Sequence, residues 1–385
     1  MLDVRKDFPL LRNNSELCYL DSAATSQKPD WVIETVVDFM SHSNANVRRG
    51  SHGLVDAAED AYASAKQKVA GFIGATPEEI VFTANATASI NTVARGLRTE
   101  TRRNGTCVTN AEHNSNYLPW LRRGPVYLFD HQLDYYWNNW EADRTRIIAM
   151  THVSNVLGEI TPVKQVAKLA GDMDAYLLVD AAQSIGHMSI DVDHLGCDFL
   201  AFSGHKMLGL TGIGCLYINR CTWDEMRPVF LGGGTVDKID QEGYNWIGPP
   251  EGYEAGTPPV IEAVSLKAAI EYLENLGMGN VYEHINYLTR YCTDKLLNIG
   301  IMPVGGPHKH GLVSFNLDDI HPHDVVFELD KLQIAVRGGH QCAHVCYKAL
   351  NLQSSVRASF HVYNTTADID RLIEGLQHVR QTYAK

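Results

Sequence analysis

The chain has 385 residues, 45% hydrophobic and 20% charged, enough apolar material for two or three packed domains and too much for a disordered or repetitive chain. Its 33 Lys and Arg against 45 Asp and Glu leave a net charge of −12, which opposes non-specific adhesion to nucleic acid or anionic lipid. The longest stretch without a charged residue, 80–94, is too short and too polar to span a bilayer. Asp3, Arg5, Lys6 and Asp7 interrupt the start, so no secretory leader is expected. The expectation is a cytoplasmic protein with eight reduced cysteines, most inside apolar runs where a thiol behaves as a small hydrophobe.

In chain order, short β-branched runs predict strands at 79–83, 106–109, 126–129, 146–151, 176–180, 198–203 and 214–218. These runs do not alternate apolar with polar residues, so they suit strands buried on both faces. Helical patterns at 56–74 and 161–173 separate several of them, which argues for a mostly parallel α/β sheet. After Thr257-Pro258-Pro259 the pattern changes to long helices, and Val281, Ile285, Leu288, Cys292 and Leu296 trace one face of the second. Strands at 312–315 and 334–336 and a closing helix at 367–383 predict a smaller α+β domain. The expected division is a large domain at 16–273 and a small one from 1–15 and 274–385.

Two features carry chemistry when read together. Asp180 ends an apolar strand, and in a parallel sheet that end faces the binding crevice. Lys206 follows a buried strand within Ser203-Gly-His205-Lys206. Either alone reads as a helix cap or a solvated charge. Together they match pyridoxal phosphate, whose aldehyde needs a Lys amine for a Schiff base and whose ring nitrogen needs a carboxylate. Ser203, His205 and the helix start at Ala86-Thr87 could supply hydroxyl and backbone N–H groups to the phosphate. A nicotinamide dehydrogenase needs a Gly-x-Gly-x-x-Gly turn after an early strand, and Gly209-Leu-Thr-Gly-Ile-Gly214 has the wrong spacing.

The ordered set from Tyr19-Leu-Asp-Ser-Ala-Ala-Thr25 through Ala111-Glu-His113, His152-Val-Ser-Asn155, Val179-Asp-Ala-Ala-Gln183, Ser203-Gly-His-Lys206, Glu254-Ala-Gly-Thr257 and Arg337-Gly-Gly-His-Gln-Cys342 to Val356-Arg-Ala-Ser359 resembles the class V, fold-type I pyridoxal-phosphate enzymes. Within them it resembles the SUF-type (group II) cysteine desulfurases and selenocysteine lyases. The resemblance implies a large domain with a mostly parallel seven-stranded sheet and a smaller α+β domain. It also implies that His113 stacks on the cofactor ring and Gln183 meets the ring hydroxyl. By the same similarity Thr257 reaches the phosphate of the other subunit of a homodimer, and Asn155, Arg357 and nearby Arg337 hold the substrate carboxylate.

Cys342 selects among class V reactions, because a thiolate there could take sulfur from cofactor-bound L-cysteine and leave alanine and an enzyme persulfide. The implied outlet is a small sulfur-acceptor protein of the SUF type or a cluster scaffold, in service of iron–sulfur cluster assembly. Selenocysteine lyase, C–S β-lyase and aminotransferase chemistry are the alternatives. His340, Cys342, His344 and Cys346 are metal-ligand types, but their spacing matches no common zinc pattern, and no metal is expected. Several positions depart from the family pattern: Arg48, Ala86, Pro259, Gly338 and Gln341 replace the usual His, Thr, Asn, Thr or Ser, and His. The segment between Trp120 and Arg146 is also short for the family.

Overall fold

The computed structural model describes residues 1–48, 50–99, 103–131, 143–317 and 319–383. Two residues near the start, β1 (Cys18–Tyr19), pair in parallel with a late strand described below. The seven expected runs form one sheet from β2 (Ile80–Thr83), β3 (Gly105–Thr109), β4 (Val126–Phe129), β5 (Thr145–Thr151), β6 (Tyr176–Asp180), β7 (Phe199–Ser203) and β8 (Gly214–Ile218). Their order is β2-β8-β7-β6-β5-β3-β4; β8 runs antiparallel to both its neighbours and every other pairing is parallel. Alternate residues feed two apolar layers: Leu177, Val179, Leu200 and Phe202 on one face, Leu178, Phe199 and Ala201 on the other. Burial on both faces is why the strands lack a polar alternation.

Helices α1 (Asp30–His42), α2 (Gly53–Ile73), α3 (Ala86–Gly96), α4 (Val163–Asp172) and α5 (Val260–Leu276) clothe the sheet. Ile90, Val93 and Ala94 of α3 face one layer, while the buried residues of α2 and α5 face the other. A hairpin, β9 (Val236–Asp240) and β10 (Gly243–Trp246), stands off the sheet with mostly exposed residues. The 21-residue helix α6 (Met278–Asn298) then leads to β11 (Leu312–Phe315), α7 (Pro322–Lys331), β12 (Ile334–Ala335), β13 (Arg337–Gly339), β14 (Ser355–Ser359) and α8 (Thr366–Tyr383). The antiparallel order β11-β14-β13 makes a second sheet, and β12 is the late strand that pairs with β1.

Apolar packing divides the chain differently from the expected boundary at two places. Phe8 and Leu11 pack in the large-sheet core, with the Phe8 ring edge-on to Tyr272 of α5 at 5.9 Å between centroids. Cys18 and Leu20 pack instead with the small sheet, because β1 pairs with β12. The five residues expected on one face of α6 are all buried, but Val281 and Ile285 enter the large core while Leu288, Cys292 and Leu296 enter the small one. The short segment after Trp120 falls partly at 132–142, outside the described residues. Among the described residues, no helix is long and apolar enough to cross a membrane.

Candidate active site

Sheet topology sets the site. Parallel pairing places the carboxyl ends of β5, β6 and β7 on one edge, with Thr151 level with Asp180 and Asp180 level with Ala201. Two antiparallel steps through β8 bring Thr83, the end of β2, level with Gly214 and then Ser203 on that edge. The start of α3 therefore opens onto the same crevice. Gly214 permits this approach, since a Cβ there would stand 2.5 Å from the Asn85 backbone. A cavity of about 260 Å³ results. It gathers twelve of the thirteen sequence-predicted residues: Ala86, Thr87, His113, Asn155, Asp180, Gln183, Ser203, His205, Lys206, Arg337, Cys342 and Arg357.

The cavity floor is lined with polar side chains. Lys206 sits in the tight turn Gly204–Lys206 directly after β7, and its amine makes no hydrogen bond among the described residues. Burial pushes that amine down to about 8, against the opposing pull of Asp180 and with a further push from Arg357 and Arg337. Asp180 is buried, which raises its carboxyl, and Oδ1 accepts from the Ala182 N–H at 3.0 Å. His113 is driven down to about 3 by burial, then by Lys206, so the ring is neutral, and its Nδ1 accepts from Ser115 N–H at 3.1 Å. A neutral imidazole is the form suited to lie on an aromatic ring. Gln183 Nε2 donates to the Ala23 carbonyl at 2.9 Å.

At the other end of the crevice Asn85 caps α3, accepting from Ala88 N–H at 2.9 Å. Ser203 Oγ accepts from Ala86 N–H at 2.8 Å, and Thr87 and Ser115 share a 2.7 Å hydroxyl contact. His205 contacts Thr25 Oγ1 at 3.2 Å, and burial brings its ring down to about 4. Hydroxyls and the positive end of a helix together make an anion cradle.

The small sheet supplies the wall. Arg337 on β13 lies opposite Arg357 on β14, and both line the cavity. Arg357 is buried: Nη1 donates to Asn155 O at 3.0 Å and Nη2 pairs with Asp21 at 3.0 Å, while Nε is buried without a partner among the described residues. Burial lowers its guanidinium, and Arg337 lowers it further while Asp21 raises it. Two guanidinium groups facing across one strand pair leave positive charge that a carboxylate would offset.

Cys342 stands exposed at the mouth, on the short connection from β13 to the helical turn His344–Ala349. Gln341 and Cys342 are consecutive left-handed residues, with φ of 50° and 54°. Each costs about 1–2 kcal/mol in a residue with a Cβ. Asn114 N–H donates to Cys342 O at 2.6 Å and Asn155 Nδ2 to Gln341 O at 2.7 Å, which holds the strained turn. Cys346, by contrast, is buried and its thiol is pushed up to about 12.

Thr257 alone lies elsewhere, exposed in a shallow hollow with Arg48 and Gly234. Arg48 does not line the cavity either; it pairs with Glu254 at 2.8 Å. Gly338 is explained by packing, because a Cβ there would meet Pro322 O at 3.0 Å. Sequence reasoning missed Asn85, Ser115 and Asp21. Of these, Asp21 had a signal in the Tyr19–Thr25 motif, but its partner lies 336 residues away.

The residues present fit pyridoxal phosphate. A desolvated amine without a partner among the described residues, a buried carboxylate on the same floor, a neutral imidazole and an anion cradle match its aldehyde, ring nitrogen, ring face and phosphate. Comparison with known proteins agrees. The family model for aminotransferase class-V matches residues 18–372. A probable cysteine desulfurase of Halalkalibacterium halodurans is 42% identical, covering 99% of this chain and 98% of that protein. Among solved structures, the apo cysteine desulfurase of Thermococcus onnurineus NA1 superposes with a TM-score of 0.92 at 39% identity, covering 98% of both chains. The S-sulfonic acid form of the cysteine desulfurase CsdA from Escherichia coli gives 0.87 at 31% identity, again over 98% of both chains. This chain belongs to the aminotransferase class-V family.

Proposed function

We propose that this protein is a pyridoxal-phosphate-dependent L-cysteine desulfurase, yielding L-alanine and a persulfide on Cys342. The observation that carries the reading is the meeting of Lys206, Asp180, Arg357 and Cys342 around one cavity, with the thiol at its mouth. When bound, pyridoxal phosphate supplies an electron sink that labilises the substrate's bonds. Lys206 would bind the aldehyde, Asp180 the ring nitrogen, His113 the ring face, Gln183 the ring hydroxyl, and Ala86, Thr87, Ser203 and His205 the phosphate.

Arg357 and Arg337, with Asn155, orient the carboxylate of L-cysteine. The Lys206 amine moves the Cα proton, a role suited to a buried lysine near neutrality. Cys342 attacks the substrate sulfur as a thiolate; the new S–S bond forms as the substrate's carbon–sulfur bond breaks, and the carbon is protonated to alanine. The small connection bearing Cys342, tied at both carbonyls, supports the group II reading, in which the persulfide stays in the cleft until a small sulfur-acceptor protein or cluster scaffold collects it. The position of Thr257 outside its own chain's cavity supports a homodimer in which it serves the partner's phosphate. Iron–sulfur cluster assembly is the proposed destination of the sulfur.

The test is product analysis. Cofactor-loaded protein given L-cysteine should form alanine and Cys342 persulfide in equal amounts before any acceptor is added. Pyruvate and ammonia in place of alanine would identify a β-lyase instead.

A further inference from the structure

At the C-terminal end of α3, the end away from the active-site crevice, a second cavity of about 580 Å³ is lined by Arg95, Arg98, Arg122, Arg123 and Arg227. Arg123 is structural: Nη1 donates to Ala94 O at 3.1 Å and Leu97 O at 2.6 Å, and Nη2 to Arg98 O at 3.0 Å, capping the carbonyls that end the helix. Burial brings its guanidinium down to about 10, so it stays charged at neutral pH. The other four are exposed, and their side chains make no hydrogen bond or ion pair among the described residues.

No Asp or Glu among the described residues lines this cavity, in a chain whose net charge is −12. The backbone that presents the arginines is pinned. Arg98 N–H donates to Glu225 O and Arg227 N–H to Gly96 O, each at 2.8 Å, and Leu97 bridges Met226. Clustering like charges on a fixed frame is unfavourable until an anion offsets them.

We propose that this cavity binds a polyphosphate group, as carried by inorganic tripolyphosphate or by a nucleoside triphosphate. Planar guanidinium forks take phosphate oxygens in pairs, and several forks around one hollow match several adjoining negative charges better than one. The volume lies within the range of small-ligand sites, roughly 300–1,000 Å³. Among the described residues no aromatic side chain lines it, so they offer a base no stacking platform and recognition rests on the phosphates.

The experiment is titration calorimetry on the full-length, cofactor-loaded protein at about 150 mM salt, where long-range attraction is screened. The probes are tripolyphosphate and, without metal, ATP. Saturable one-to-one binding of both, within about threefold of each other, is expected. R95Q/R98Q and R227Q should each weaken it at least tenfold while the cofactor absorbance stays unchanged, which shows the variants folded. Absence of saturable binding, or binding that survives both variants, overturns the site. ATP binding more than tenfold tighter than tripolyphosphate overturns recognition by phosphate alone. A decaglutamate peptide that binds as tightly, with the same arginine dependence, overturns the polyphosphate assignment in favour of an acidic protein surface.

Discussion

Lys206 and Cys342 line the same cavity, yet their surroundings are opposites. Lys206 follows a central strand, is half-buried as a residue and has its amine, inside the cavity, moved well below the usual lysine range by desolvation. Cys342 is exposed, sits on a connection between small elements and owes its position to backbone geometry that must be tied down from Asn114 and Asn155. The contrast separates two needs. Proton movement wants a dry, fixed group whose affinity for protons is tuned by its surroundings. Handing sulfur to another molecule wants a nucleophile that can be reached from outside.

The contrast breaks most visibly at its buried end. Lys206→Ala should lower desulfurase activity by at least about a thousandfold and remove the yellow absorbance of the purified protein, since no other lysine among the described residues lines the cavity. An unchanged, borohydride-fixable chromophore in the variant would place the attachment on a different lysine. At the exposed end, Cys342→Ser should lose persulfide formation by at least about a hundredfold while absorbance and melting temperature stay close to wild type, as an exposed side chain contributes little to stability. Mass spectrometry of alkylated peptides after L-cysteine addition checks it; a persulfide on Cys346 in wild type, with the variant fully active, would sink the assignment.

Between the two lies Arg357. Replacement by Lys keeps a charge but loses the fork and its tie to Asn155, so KM for L-cysteine should rise about tenfold to a hundredfold, equivalent to about 1.5–3 kcal/mol, with cofactor retained. Stopped-flow binding of L-cysteine measures it, and loss of cofactor with normal substrate binding would reverse the division of roles. The smallest effect concerns pH. Because burial lowers the Lys206 amine to about 8, the neutral, nucleophilic form is scarce below that value and dominant above it. Capture of pyridoxal phosphate by the apoprotein should therefore speed up about tenfold per pH unit up to about 8 and level off beyond. A flat rate between pH 6 and 9, followed by absorbance, would show that burial does not tune this amine.

Much of this was legible in the sequence for a physical reason. Strands buried on both faces are long enough in β-branched residues to be recognised, and parallel pairing forces their ends, and so Asp180 and Ser203, onto one edge. What stayed hidden depends on distant or conformational facts. Arg357 reads as a substrate arginine, but its tie to Asp21 joins opposite ends of the chain. Gln341 reads as a substituted histidine, whereas its left-handed backbone and its buried amide, 3.3 Å from the carbonyls of Arg337 and Ser355, belong to the turn it stabilises. The placement of Cys18 and Leu20 with the small sheet follows from the pairing of β1 with β12, which no local pattern reveals.

Helix α6 has a consequence of a mechanical kind. Its 21 residues make a rod of about 31 Å whose first half is rooted in one core and whose second half is rooted in the other. Swinging the two lobes apart would have to bend that rod or strip Val281 and Ile285, or Leu288 and Cys292, from their apolar surroundings. The rod thus works as a shared axle: small twists about its length are cheap and wide opening is not. It also ties the two cores into one melting unit, so calorimetry of the apoprotein should show a single heat-absorption peak rather than one for each lobe.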